Sequence, residues 1–216
     1  HGNFAEAYAI RGEANQMLGN YKQAILDYER ALKIDSNLDY IQGNILHSKM
    51  HINEWDNFDL QISKLKEKIN NKKKVITPFP LLSLIDDPKM HKDVAERHSK
   101  DNFPFSLNKG NIRPKLKDKI NVGYFSADFI NHATLHLISD VFKNHNKSEF
   151  KISAFSYGLR EDKMTHKVSK YFHNFFDCKN LSDEEIASLS QKNNIHIAVD
   201  LKGYTLNSRA GIFYNN

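Results

Sequence analysis

Two kinds of hydrophobic pattern divide the chain. Between residues 5 and 70 the apolar positions follow a helical period, which is typical of amphipathic helices. From residue 117 onwards, apolar runs of strand length alternate with segments of helix length. Strands that alternate with helices predict a doubly wound parallel sheet, with helices on both of its faces. The pattern therefore predicts a fold of class α followed by α/β.

The first helices are predicted to form a hairpin. Residues 5–18 and 21–34 are expected to be helical, with Gly19 and Asn20 as the turn between them. Small residues stand where the two helices must approach closely, and large residues fill the space between them. These positions resemble the 34-residue tetratricopeptide repeat: Tyr8, Gly12, Tyr21, Ala24, Tyr28 and Ala31. Ser36 replaces the usual proline of that repeat, and an ordinary amphipathic helix pair is the alternative.

Helical patterning continues over residues 38–50 and 55–69, as a degenerate second repeat. A run of lysines between residues 64 and 74 is interpreted as a solvated helix face. A site for single-stranded nucleic acid would need aromatic residues between the lysines, and none are present. A proline-containing stretch follows, and we expect a connecting region there because proline ends helices. Its prolines are Pro78, Pro80, Pro88, Pro104 and Pro114.

Four strands and three helices are predicted in the last hundred residues. The strands cover residues 120–126, 150–157, 175–177 and 195–201, and the helices cover 135–144, 163–172 and 183–192. Ser182 followed by Glu185 predicts a capping box at the start of the last of these helices. The expected domains are 1–37 (repeat), 38–116 (helical extension and connector) and 117–216 (Rossmann-like lobe).

Composition and charge narrow the function classes. The chain has 216 residues and a net charge of +5, which permits an anionic ligand without requiring nucleic acid. Cys178 is the only cysteine, so an internal disulfide and a cysteine-based zinc site are excluded. No apolar run approaches the roughly 20 residues that cross a bilayer. No signal peptide opens the sequence, so we expect a cytoplasmic protein with no membrane partner.

Polar residues follow the first and the fourth predicted strands, in residues 126–134 and 200–205. Parallel strands end at one edge of the sheet, where open α/β sheets bind ligands, so the two loops are expected to converge on one cleft. Neither a G-x-G-x-x-G dinucleotide fingerprint nor a Walker loop is present.

Two histidines, His132 and His136, are four residues apart in the first of these loops and the helix after it. The glutamate of H-E-x-x-H is missing, so a metal site is not favoured. His136 is expected to be a partly buried helix residue. His132 lies before a helix N-terminus, whose positive end disfavours imidazolium, so a neutral ring there could accept a proton or bind a ligand. A structural role for His132 is the alternative.

The segment INVGYFSADFINHATLH, residues 120–136, resembles the start of the catalytic region of protein O-GlcNAc transferases, glycosyltransferase family 41. Residues 55–58, 95–98 and 200–209 are similar to the same family, as are the repeats in front. The resemblance implies an inverting, metal-independent glycosyltransferase of the two-lobed GT-B type, with no cofactor. Its donor substrate would be UDP-GlcNAc, its acceptors would be Ser and Thr hydroxyls, and its repeats would guide the protein acceptor.

The resemblance also implies site residues. The active-site histidine of the family corresponds to His132, the proposed catalytic residue. Neighbouring positions carry over as substrate-binding groups: Asn131, Thr134, Asp200, Tyr204 and Thr205. The last three, in the second loop, would be acceptor-side or structural groups. Asn193 departs from the family, whose members often have Asp there.

The family's second lobe, which supplies most contacts to UDP, would follow residue 216, and further repeats would precede residue 1. We therefore expect a fragment that is inactive by itself. Two alternatives stay open: a repeat-bearing adaptor without catalysis, and a lone flavodoxin-like nucleotide-binding domain. The sequence leaves undetermined the acceptor protein, the sugar, the number of repeats and the oligomeric state.

Overall fold

The structure is a computed structural model that describes residues 4–103 and 119–214. The chain divides into two compact units, residues 1–98 and 99–216. Pro104, Pro114 and the expected boundary between residues 116 and 117 lie outside the described residues. The domain boundaries inferred from the sequence stay a prediction.

The first unit begins with the predicted hairpin. Helix α1 covers Phe4–Met17 and α2 covers Tyr21–Ile34. Gly19 in the turn has φ = +78°, a conformation that glycine adopts without steric cost. Gly12 lies against the buried ring of Tyr28, where a Cβ atom would come within 2.7 Å of a ring carbon. The Tyr28 hydroxyl donates to Oε1 of Gln16 over 2.7 Å, so the small and large residues of the repeat pattern fill the interhelical space as expected.

Two further helices follow, α3 (Ile41–His51) and α4 (Phe58–Asn70), and both begin about three residues later than the sequence pattern predicts. The residues that precede them, Tyr40 and Asn57, have left-handed backbones with φ of 66° and 52°. A left-handed residue cannot belong to a right-handed helix, so each helix starts immediately after it.

The expected connecting region contains two helices, α5 (Pro78–Leu84) and α6 (Pro88–Asn102), so that expectation was wrong for residues 78–102. Pro78 and Pro88 are the first residues of their helices. Proline is tolerated at that position because the first N–H groups of a helix have no intrahelical partner. Helices α3 to α6 share one buried core, which includes Leu46, Leu65 and Leu81.

The second unit is built on a four-stranded parallel sheet. Its strands are β1 (Ile120–Ser126), β2 (Phe150–Ser156), β3 (Asn174–Asp177) and β4 (Ile197–Asp200), in the order β3-β2-β1-β4. In register, Val122 of β1 stands opposite Ile152 of β2 on one side and Ile197 of β4 on the other. All pairs are parallel, which confirms the predicted sheet.

The helices of this unit are α7 (Ala133–Asn144), α8 (Lys163–Ser169), α9 (Asp183–Lys192) and α10 (Gly211–Tyr214). Helix α9 opens with the predicted capping box of Ser182 and Glu185. The side-chain amide of Asn193 donates to the carbonyl of Leu189 over 2.8 Å at the end of α9, a contact that an aspartate cannot make. Helix α10 was not predicted.

Both faces of the sheet are covered. Val122 and Tyr124 of β1 point into one buried cluster with Leu135 of α7 and Val168 of α8. Phe125 of β1 belongs to a second cluster, which includes residues of α9 and α10. Successive side chains of a strand point to opposite faces, so the two clusters lie on either side of the sheet. The doubly wound arrangement is thereby confirmed. No helix within residues 4–103 and 119–214 has the length and apolar character to cross a membrane.

Candidate active site

The loops that follow β1 and β4 meet through a buried ion pair. Nζ of Lys202, after β4, donates to Oδ2 of Asp128, after β1, over 2.6 Å. Lys202 is 9% exposed and Asp128 is 8% exposed. The expected convergence of the two loops at the carboxyl edge of the sheet is therefore observed, and the contact that joins them is a charge pair closed off from solvent.

His132 is the residue immediately before α7 and caps that helix. Its Nδ1 accepts the backbone N–H of Thr134 over 3.2 Å, and the same nitrogen lies 3.5 Å from Oδ2 of Asp128. The side chain is 46% exposed. Because Nδ1 accepts a bond, the neutral ring carries its proton on Nε2 in this arrangement. Helix α7 starts two residues before its predicted beginning because this ring satisfies the Thr134 N–H. The sequence did not indicate that start, since histidine is not among the usual capping residues.

Asp162 anchors the backbone just before His132. Its Oδ2 accepts the N–H of Asn131 over 2.7 Å, and its Oδ1 accepts the N–H groups of Met164 and Thr165 at the start of α8. The bond from Asn131, followed by those at the helix start, holds the pKa of Asp162 below its ordinary value. One carboxylate thus caps α8 and fixes the loop that carries His132.

His136 is exposed rather than partly buried, which corrects the expectation from the sequence. Its Nε2 lies 2.7 Å from Oδ1 of Asn131, within hydrogen-bond distance. The histidine therefore supports the Asn131 side chain from one turn along α7. Three of the predicted site residues, Asn131, His132 and Thr134, come together in this way at the N-terminus of α7.

The other predicted residues lie in the turn after β4. Asp200 accepts the N–H groups of Lys202 (2.8 Å) and Gly203 (3.1 Å). Desolvation raises the pKa of Asp200 above its ordinary value, against the lowering effect of these two donors. The Thr205 hydroxyl donates to the carbonyl of Lys202 over 2.8 Å, and the Tyr204 hydroxyl lies 3.0 Å from Oγ of Ser99.

Asp200 and Tyr204 line a cavity of about 340 Å³ together with Phe213 and Tyr214. None of Asn131, His132 and Thr134 belongs to its lining. The structure thus brings the predicted site residues together in two groups, and the Asp128–Lys202 pair connects the loops that carry them.

A larger cleft of about 560 Å³ opens between the loops that follow all four strands. Its walls include Asp128 after β1, Tyr157 after β2, Lys179 after β3 and Arg209 after β4. Gly158 permits the close approach of two of these loops, because a Cβ atom there would collide with the carbonyl oxygen of Ala127.

Sequence reasoning missed four residues of these sites: Asp128, Lys202, Tyr157 and Arg209. Asp128 and Lys202 stand in the two loops that the pattern singles out, but their pairing over 74 positions leaves no local signal. The sequence around Tyr157 does not indicate a functional role either. The residue continues an apolar strand, and its burial depends on the helices that cover that face of the sheet. In residues 4–103 and 119–214 no three His, Cys, Asp or Glu side chains are grouped so that they could hold a metal ion.

Comparison with known proteins gives two family matches. Residues 87–215, more than half of the chain, match the family described as glycosyl transferase family 41. Residues 5–38 match the tetratricopeptide repeat.

Two curated relatives are named as UDP-N-acetylglucosamine–peptide N-acetylglucosaminyltransferases. A probable one from Arabidopsis thaliana, SEC, is 32% identical over 98 residues, which cover 44% of this chain and 10% of that protein. One from Caenorhabditis elegans is 32% identical over 103 residues, which cover 44% of this chain and 8% of that protein. The chain therefore matches about a tenth of the length of these relatives.

A solved structure of a mutant O-GlcNAc transferase from Thermobaculum terrenum has a similar fold. It superimposes with a TM-score of 0.62 at 18% identity, over 99% of this chain and 42% of that one. At this identity the similarity supports the fold alone, which is that of helical repeats followed by a parallel sheet.

Proposed function

Because the chain belongs to glycosyl transferase family 41, we propose that it carries part of the catalytic machinery of a protein glycosyltransferase. The donor is UDP-N-acetylglucosamine, and the acceptors are serine and threonine hydroxyls of proteins. The observation that carries the proposal is the position of His132 at the N-terminus of α7, beside the Asp128–Lys202 pair. The names of the curated relatives support the choice of sugar and acceptor.

The reaction defines what His132 must do. A bond forms between the acceptor oxygen and C1 of the sugar, the bond from C1 to the UDP oxygen breaks, and the acceptor hydroxyl loses a proton. For His132 to take that proton at Nε2, its own proton must stand on Nδ1. Nδ1 would then release the Thr134 N–H and donate to Asp128, whose Oδ2 lies 3.5 Å away. Asp128 orients the ring in this arrangement, and Lys202 keeps Asp128 in place.

The remaining predicted residues act around this centre. Asn131 and Thr134 bind substrate at the N-terminus of α7, while Asp200, Tyr204 and Thr205 act on the acceptor side or hold the second loop. The reaction needs no metal in this scheme. The cytoplasmic location expected from the sequence stays a prediction.

The tetratricopeptide repeat of the first unit is a protein-interaction element, and we propose that it guides acceptor proteins. Tyr28→Ala removes a fully buried ring from the α1–α2 hairpin and should destabilise it by about 3–5 kcal/mol. Ala24→Leu should destabilise the same hairpin by overpacking. In the full-length protein both changes should reduce the glycosylation of whole proteins more than that of short peptides. Equal losses for both kinds of acceptor would contradict the guiding role.

The direct test of the activity uses the full-length protein, UDP-[³H]GlcNAc and a mixture of soluble proteins. Transfer of label to protein, released by the base-catalysed elimination that cleaves Ser and Thr O-glycosides, is the expected result. A second incubation with other UDP-sugars tests the sugar. Absence of transfer, with repeat-dependent protein binding retained, would favour the adaptor instead.

A further inference from the structure

Tyr157 has a hydroxyl group for which the fold supplies no partner. The residue is 5% exposed, and its hydroxyl oxygen has no hydrogen-bond partner among the described residues. A buried donor without a partner costs the free energy of its desolvation, so such groups are rare in folded proteins. Four charged side chains act on this hydroxyl, three of them carboxylates: Asp200, Arg209, Asp128 and Asp183.

The Tyr157 hydroxyl stays protonated, and the residue that carries it lines the large cleft. Desolvation raises the pKa of Tyr157, and the neighbouring carboxylates raise it further. The guanidinium of Arg209 lies over the ring, 5.6 Å from its centre, and both residues line the cleft. Tyr157 is therefore a neutral donor without a partner, in a residue that lines a ligand-sized cavity.

The charges of the cleft favour an uncharged ligand. Three of its four charged side chains are already in ion pairs: Arg209 with Asp183, Lys179 with Asp177, and Asp128 with Lys202. A diphosphate or an acidic peptide would find most of the local cations neutralised. Only Arg160, which is exposed, stands outside these pairs.

The polar and apolar groups of the cleft match a polypeptide. The side chains of Asn207 and Ser208 line it and supply both donors and acceptors for peptide groups. Leu159, with 85% of its surface exposed, and Ile130 both belong to the lining. Exposed apolar side chains beside peptide-binding groups suit an uncharged polypeptide segment better than a free sugar.

We propose that this cleft binds an uncharged segment of the acceptor polypeptide, and that the Tyr157 hydroxyl donates a hydrogen bond to one of its carbonyl oxygens. The proposal rests on the proposed function only in calling the polypeptide an acceptor. It assigns Tyr157 to substrate binding on the acceptor side and gives it no part in the chemical step.

Two variants test the hydroxyl in the 216-residue chain. Tyr157→Phe removes an unsatisfied donor, so we expect the melting temperature to rise by about 3 °C. The matched control is Tyr124→Phe in β1, a residue that is 6% exposed and whose hydroxyl is 2.7 Å from Nε2 of His145. That variant loses a hydrogen bond that the fold already makes, so its melting temperature should fall. A lower melting temperature for Tyr157→Phe would mean that the hydroxyl already has a partner, such as a buried water, and would overturn the proposal.

Binding is measured on the same chain, without turnover. The probe is an uncharged ten-residue peptide of alanine, valine, serine and threonine with blocked ends, titrated while NMR follows residues 157–160 and 207–209. Tyr157→Phe should weaken binding about fivefold, while Tyr124→Phe should leave it unchanged. Leu159→Ser changes an exposed side chain of the same cleft without altering the core, and it should also weaken peptide binding. Equal affinity of all four proteins, or a preference for N-acetylglucosamine over the peptide, would overturn the proposal.

Kinetics of the full-length protein separate the two substrates. Tyr157→Phe should raise KM for the peptide acceptor about fivefold and leave kcat and KM for UDP-GlcNAc within a factor of two. A rise in KM for the UDP-sugar alone would assign the cleft to the donor and overturn the proposal. If the wild-type protein transferred no sugar, the proposed function would fail, whereas the peptide titration would still decide whether the cleft binds a polypeptide.

Discussion

In the proposed mechanism, a single nitrogen of His132 would have two uses. Nδ1 accepts the Thr134 N–H in the structure and lies 3.5 Å from Oδ2 of Asp128, to which it donates in the proposed mechanism. The first arrangement stabilises α7, and the second leaves Nε2 free to take a proton. Capping and catalysis are thus separable only by a variant that preserves one of them.

His132→Asn is that variant, since asparagine is a good capping residue but cannot accept a proton as imidazole does. In the full-length protein we expect kcat/KM to fall by about 10²-fold or more, with an unchanged melting temperature. His132→Ala should show the same loss of rate together with about 0.5–2 kcal/mol of lost stability. His136→Ala, one turn along α7, should lower kcat/KM less than His132→Asn, through its contact with Asn131, and should leave the melting temperature nearly unchanged. Near-normal turnover by His132→Asn would limit His132 to its capping role.

Asp128 and Lys202 form the other residue-scale prediction. Both side chains are at most 10% exposed, so removing one partner leaves an uncompensated buried charge. Lys202→Met should cost about 3–5 kcal/mol of unfolding free energy. Adding Asp128→Asn should recover most of that loss, because the stranded carboxylate is then gone. Urea unfolding of the single and double variants measures the coupling, and strictly additive losses would show that the pair is not coupled.

At the scale of elements, helix ends position the candidate site. Asp162 caps α8 and holds Asn131, His132 caps α7, and the Ser182–Glu185 box starts α9. These contacts lie at the carboxyl edge of the sheet, so the same groups that begin the helices also fix the loops that contain the candidate site residues. An acid-sensitive capping carboxylate should therefore make the loop before α7 sensitive to acid.

Asp162 supplies the corresponding pH prediction. Its folded-state pKa is depressed, so its stabilising effect is fully present above the unfolded value of about 3.9 and is lost as the pH falls through the lower folded value. The amide signals of Asn131, Met164 and Thr165 should shift together in that acidic range in NMR spectra of the chain. Asp162→Asn should abolish the shared titration, and Asp140→Asn, on the exposed side of α7, should leave it intact. Independent titration of the three amides would contradict the shared anchor.

At the scale of the whole molecule, the chain matches 42% of a solved transferase and about a tenth of the curated relatives. The family resemblance implies that a second lobe holds most of UDP, whose developing charge must be stabilised when it leaves. Under the proposed function, the 216 residues contribute His132, the buried ion pair and the large cleft, and the second lobe implied by the resemblance contributes most contacts to UDP.

We therefore expect the 216-residue chain to transfer no label from UDP-[³H]GlcNAc, even at high concentration, and the full-length protein to do so. Binding of the uncharged peptide to the chain serves as the control that the tested protein is folded. Label transfer by the chain alone would locate the whole catalytic site within these residues and would contradict the two-lobed scheme.

The sequence by itself determined the elements whose signals are local. The turn at Gly19, the capping box of α9, the bounds of α2 and β1, and the parallel sheet all follow from neighbouring residues or from the alternation of apolar runs. The starts of α3 and α4 were not predicted, because the left-handed backbones of Tyr40 and Asn57 depend on the packing around them. The starts of α5 and α6 were missed because Pro78 and Pro88 were interpreted as helix ends, although proline is also favoured as the first residue of a helix.

Only the tertiary structure decided how the candidate site is built. It pairs Asp128 with Lys202 across two loops, caps α7 with His132 and buries the Tyr157 hydroxyl without a partner. The ion pair joins residues 74 positions apart, and the enclosed hydroxyl depends on the burial that the assembled sheet and helices create. The His132 cap is a local contact, but histidine is not among the residues that signal a helix start. Burial turns an ordinary charge pair or hydroxyl into a strong constraint, because a polar group removed from water must find its partner within the fold or in a ligand.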